Sequence, residues 1–218
     1  LAVVVAIAFA NVTAAASRDP PIDHFVLALS WSPSFCALPE AADEVLQCAA
    51  GRRFAFVVHG LWPQYRNGWP QYCQSSPQWV SDDQIAEMLP LMPSKPLIIQ
   101  QWRKHGTCSA LAIEAYFDLT QELFEKVRIP ARYMTPVMPL TTTPQALVSD
   151  FLNANPGLTP EMMKVICTSN GRRARLDELR ICFSPGGRFA QCRPRSGSNC
   201  RAETLMLPPV KATSGRSE

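Results

Sequence analysis

Eight cysteines, at positions 36, 48, 73, 108, 167, 182, 192 and 200, constrain this 218-residue chain more than any other feature. An even number of thiols in an exported chain implies a framework of four disulfides, because no thiol buffer reduces them outside the cell. Zinc is the competing use of such side chains. Yet no two cysteines form a short-spaced knuckle, and only His105 and Cys108 place two metal-type ligands close together. The count alone leaves on the order of 100 pairings open.

The N-terminus agrees with export. Leu1 to Ala10 is apolar, too short to span a bilayer, and leads into Ala14-Ala15-Ala16-Ser17, small residues of the kind cleaved by a signal peptidase. A secretory leader is therefore expected over residues 1–16, with the mature chain starting near Ser17. Neither an initiator Met nor a basic start precedes it, so the sequence is expected to begin within that leader. A buried N-terminal strand or helix is the other use of such a run.

Hydrophobic residues make up 47% of the chain and charged ones 18%, which excludes disordered and low-complexity classes. No Ser/Gly-rich bridge divides it, so one domain over residues 17–210 is expected, followed by a frayed polar tail at 211–218. The net charge of +3 is unevenly placed: nine basic residues against Asp177 and Glu178 give +7 between Lys164 and Arg201, leaving −4 elsewhere. Such a region suits a face toward a polyanion or, equally, a solvated loop.

The hydrophobic pattern predicts a buried strand over Phe25–Trp31 and another over Phe54–Val58, with an irregular loop at 67–77. Ser81 reads as the N-cap of a short helix to about Leu89. Further helices are expected over Leu97–Lys104, Ala110–Val127 and Pro144–Asn153, and hairpin-like strands over Met162–Thr168 and Arg175–Phe183. Together these predict an α+β fold: a central, largely antiparallel sheet with helices packed around it, stapled as a single disulfide-stabilised domain.

Two of the three histidines stand in unusual company. His59 ends a strand-like run and opens His-Gly-Leu-Trp-Pro-Gln, where Gly60 is expected to let the backbone turn and aim the ring into a cleft. His105 closes a helix in Trp-Arg-Lys-His-Gly-Thr-Cys, with Gln101 one turn earlier on its face and Gln100 on that of Lys104. Two imidazoles with a cation and amide donors make a plausible phosphoryl-transfer site, in which one ring takes a proton, the other gives one, and Lys104 stabilises charge on phosphorus-bound oxygens. No role is assigned to His24, and Trp79 and Trp102 are read as core.

The segments His59-Gly60-Leu61-Trp62-Pro63 and Lys104-His105-Gly106-Thr107-Cys108 closely resemble the two active-site segments of the ribonuclease T2 family, in its bacterial, ribonuclease I-like form. Leu-Ser-Trp-Ser-Pro-Ser-Phe-Cys at 29–36 resembles the family's first strand, and Cys167 with Arg180-Ile181-Cys182 its C-terminal strands. The resemblance implies cleavage of single-stranded RNA by transphosphorylation through a 2',3'-cyclic phosphate. By it, His105 is the base, His59 the acid and Lys104 the phosphorane-stabilising cation. Trp62 belongs to the phosphate and base pocket, while Gln64, Tyr65 and Trp69 occupy the stretch that stacks on and reads the first base. It also implies the pairs Cys73–Cys108, Cys36–Cys48, Cys167–Cys200 and Cys182–Cys192.

One departure bears on the chemistry. Where the family's second segment has a phosphate-binding His and a catalytic Glu, this chain has Gln100 and Gln101. Gln can hydrogen-bond to a phosphate oxygen but carries no charge and transfers no proton, so weaker catalysis is expected. The resemblance thus implies a periplasmic or extracellular endoribonuclease, monomeric, with single-stranded RNA as its partner. DNA is not a substrate, no membrane is a partner, and no metal or cofactor is required. The alternative is a non-catalytic or weakly catalytic secreted RNA-binding or effector protein of the same fold, favoured by the two Gln. A disulfide-rich binding module with no RNA role would need both motifs to be coincidental.

Overall fold

The computed structural model describes residues 21–169, 171–193 and 199–210; the expected leader, the turn position Asn170 and the tail from Lys211 lie outside the described residues. Among the described residues the elements run, in chain order, β1 (His24–Trp31), the short α1 (Ser32–Phe35) and α2 (Val45–Cys48), β2 (Phe56–Gln64), α3 (Asp82–Met88), α4 (Lys95–Lys104) and α5 (Ile113–Lys126), then β3 (Leu140–Thr142), α6 (Pro144–Ala154), and three strands in succession, β4 (Met163–Cys167), β5 (Arg173–Phe183) and β6 (Thr204–Leu207). The strands form one sheet in the order β2-β1-β5-β6-β3, with β4 pairing β5. Only β5–β6 is parallel; the other four pairings are antiparallel.

The two faces of β1 differ. Leu27, Leu29 and Trp31 point into the core with Val58 and Leu61 of β2, Leu179 and Ile181 of β5, and the apolar faces of the helices. The alternation of the pleat puts Val26, Ala28 and Ser30 on the opposite face. Two of these three are small, so side chains from the flanking strands β2 and β5 can meet over β1.

Local chemistry sets the helix ends. Ser81 and Gln84 close a reciprocal capping box on α3, and the Ser94 hydroxyl accepts from Leu97 N–H at the start of α4. α4 begins at Lys95, two residues before the sequence pattern suggests, because Pro96 fits the first turn. α5 begins at Ile113 and not at Ala110, whose φ of 62° is left-handed and incompatible with helix. All four implied disulfides are formed, and no cysteine is free. No helix among the described residues is long and apolar enough to cross a membrane.

β2 departs from the expected strand. It does not end at His59 but runs on to Gln64. Its register with β1 pairs Val58 with Leu29 and Gly60 with Ala28, leaving His59 as an extra, unpaired residue. This β-bulge turns His59 out of the core and onto the face of Ala28 and Ser30. A second irregularity in β5 leaves Asp177 unpaired between Leu176 and Glu178.

Candidate active site

On that open face lies a cleft of about 390 Å³ lined by Val26, His59, Trp62, Gln64, Trp69, Gln71, Gln101, Lys104, His105 and Arg180. β2 supplies His59, Trp62 and Gln64, and the end of α4 supplies Gln101, Lys104 and His105. The Trp62 ring packs against both histidines, 5.3 Å from His59 and 5.6 Å from His105 between ring centroids. Cys73–Cys108 and a hydrogen bond from Tyr72 N–H to Lys104 O at 2.9 Å fasten the loop after β2 to the end of α4.

Glycine at 60 serves space, not a turn. Trp62 Nε1 donates to Gln101 Oε1 at 2.9 Å directly above it, and a Cβ on Gly60 would fall on that same oxygen. Gly106 likewise lies where a Cβ would strike the Trp102 ring. Gln101 is buried, and its carbonyl oxygen is engaged by Trp62.

The two imidazoles sit in opposite environments. His105 is 7% exposed and its Nδ1 is buried without a hydrogen-bond partner. Burial first, then the charges of Lys104 and His59, push its pKa down to about 3, which keeps the ring neutral. The His59 side chain is 39% exposed, and its Nδ1 lies 2.6 Å from Oε1 of Glu178, so Nε2 is the nitrogen left for the cleft.

Glu178 escapes sequence reasoning, where it counts only as one of two acids in a basic stretch. It is 4% exposed and also accepts from Arg180 Nε at 2.5 Å. Burial is the largest influence on its carboxyl and acts to raise the pKa, but His59 and Arg180 together outweigh it and leave the group below the usual range. The Arg180 guanidinium lies 4.8 Å from the Trp62 ring centroid. An alternation count placing residues 178 and 180 on the face of Cys182 is the one signal that could have flagged them.

The other expected site residues fall as follows. Gln64 is buried and lines the cleft, its Nε2 donating to Pro63 O at 3.0 Å, and Trp69 stands at the rim, half exposed. Tyr65 instead lines a smaller cavity of about 120 Å³ with His24, Gln64, Arg66 and Arg193. Gln100 is exposed and does not line the cleft. Trp102 is core as expected, donating to Gln78 O at 2.8 Å. Trp79 is not: it is 77% exposed. Among the described residues no three His, Cys, Asp or Glu side chains gather as metal ligands.

The model of the Ribonuclease T2 family matches residues 22–192. The chain belongs to the ribonuclease T2 family. It is 36% identical over 124 residues to a ribonuclease of Aeromonas hydrophila, covering 57% of this chain and 55% of that protein. It is 35% identical over 124 residues to a probable ribonuclease of Haemophilus influenzae, covering 50% of this chain and 45% of that one. The matches thus span about half the length of these relatives. The crystal structure of RNase NT in complex with 5'-AMP superposes with a TM-score of 0.65 at 24% identity, covering 86% of this chain and 98% of that one. The ribonuclease T2 fold therefore extends beyond the segments that sequence similarity reaches.

Proposed function

We propose that this chain is an exported endoribonuclease that cleaves single-stranded RNA by transphosphorylation through a 2',3'-cyclic phosphate. One observation carries the proposal: two histidines with opposite electrostatic surroundings flank a single tryptophan in one cleft, beside Lys104. His105, held neutral, takes the 2'-hydroxyl proton at Nε2 while the 2'-oxygen bonds to phosphorus. The P–O5' bond breaks, and the leaving oxygen takes the proton of His59 Nε2. Lys104 stabilises the phosphorane charge, and Trp62, Gln64 and Trp69 offer the base a stacking surface. Without a 2'-hydroxyl no cyclic product forms, so DNA is not cleaved. The four disulfides suit an oxidising compartment, periplasmic or extracellular.

The deciding assay follows a dinucleoside phosphate to its 2',3'-cyclic product. The wild-type chain is expected to form it without added metal and in excess chelator. His59→Ala and His105→Ala are each expected to lose about 100- to 10,000-fold in rate. RNA binding persists in both, because phosphate charge and stacking supply it. Undiminished turnover in His59→Ala refutes the assignment. Tight RNA binding with no product from the wild type establishes the non-catalytic alternative, which the uncharged Gln100 and Gln101 favour.

A further inference from the structure

Glu178 is a buried carboxylate whose two oxygens are both committed, Oε1 to His59 Nδ1 and Oε2 to Arg180 Nε. Removing a carboxylate from water is costly unless charge and hydrogen bonds offset it. Here the compensating groups are a candidate catalytic ring and a guanidinium on the cleft wall. Arg180 lies over Trp62 and lines the cleft with Lys104 and both histidines, so two cations share the cleft with the imidazoles. On α4, by contrast, Gln100 is exposed away from the cleft and Gln101 is held by Trp62. The sheet explains the alternative supply: Ser30 pairs with Glu178 and Ala28 with Arg180, so both long side chains rise over small neighbours toward the bulged His59.

We propose that the β5 pair supplies the carboxylate and the phosphate-binding cation that α4 lacks, Glu178 as the positioning residue of His59 and Arg180 as a direct contact of the scissile phosphate. This rests on the cleavage function proposed above. Glu178 accepts the Nδ1 proton of His59 and fixes the ring so that Nε2 faces the leaving oxygen. Arg180, its Nε–H given to Glu178, brings a planar guanidinium to the cleft wall, whose charge and donor geometry toward a phosphate differ from those of the Lys104 ammonium. Besides this pair, the charged and titratable groups near His59 are Asp177 on β5, His105 and Lys104 at the end of α4, and Glu44 at the start of α2. All of these remain when Glu178 or Arg180 alone is changed, so their influence cancels in a comparison of variants.

The test compares wild type, Glu178→Gln, Glu178→Asp, Arg180→Gln and Arg180→Lys by three readouts: kcat and KM on a dinucleoside phosphate, nitrogen NMR of the His59 ring tautomer, and binding of inorganic phosphate. Glu178→Gln, whose amide can donate as well as accept, is expected to lower kcat about 10- to 100-fold with KM little changed and to move neutral His59 from the Nδ1–H toward the Nε2–H tautomer. Glu178→Asp, which keeps the charge on a shorter arm, is expected to lower the rate while keeping the Nδ1–H tautomer. Arg180→Gln is expected to weaken phosphate binding about 10- to 100-fold, and Arg180→Lys to restore only part of it. An unmoved His59 tautomer in Glu178→Gln, whatever the loss of rate, makes Glu178 a packing residue and overturns its half of the proposal. Unchanged phosphate affinity in Arg180→Gln overturns the other half. If the wild type does not cleave the dinucleotide, the cleavage function fails, and the His59 tautomer and the phosphate binding still decide the pair.

Discussion

Lowering the pH should cost this protein stability through His105. The ring is held near a pKa of about 3 in the folded chain, against about 6.5 for a free imidazole, so between those values the unfolded chain binds a proton that the folded chain refuses. The sign follows: the contribution is fully present above about pH 6.5 and is lost as the pH falls toward 3. The whole gap corresponds to about 5 kcal/mol, of which about 3 kcal/mol is lost between pH 7.5 and pH 4. Urea unfolding at those two pH values, for the wild type and His105→Gln, isolates the effect, because His24 and the carboxylates titrate in both proteins. The wild type should lose about 3 kcal/mol more than the variant, a difference of about 1 M in midpoint for a slope of 2–3 kcal/mol/M. Equal losses would show that His105 is solvated in the folded state, and the buried, unpartnered Nδ1 would no longer account for its neutrality.

Gln101→Glu should shift the acid limb of the kcat–pH profile upward, because a carboxylate one helical turn before His105 favours the charged ring that cannot act as base. The same substitution should raise the maximal rate by about one to two orders of magnitude on a dinucleoside phosphate; an unmoved limb and an unchanged rate would show that position 101 does not act on His105. Replacing Cys73 and Cys108 together by Ala should cost about 4 kcal/mol, given the sequence separation of 35, measured by denaturant unfolding. Activity should fall more than stability at low temperature explains, since the bond fastens the loop after β2 to Lys104.

The sequence alone determined the parts of this protein that rest on local chemistry. Ser81 and Pro144 marked helix starts through capping and proline geometry, and unbroken apolar runs marked β1 and the start of β2. The candidate acid–base residues were legible because His59 and His105 sit inside distinctive short segments whose family resemblance also carried the cysteine pairing. Only the tertiary structure decided what depends on neighbours distant in the chain. Trp79, apolar and thus assigned to the core, lies exposed, while its neighbour Val80 is the residue the loop buries. Gly60 looked like a turn and is a vacancy beneath the Trp62–Gln101 hydrogen bond, visible only once β2 meets α4. Glu178 lies 119 residues from His59 in sequence, and one bulge in β2 and the small side chains of Ala28 and Ser30 bring the two within 2.6 Å. Strand register acts across the sheet and not along the chain, so no periodicity in either segment records it.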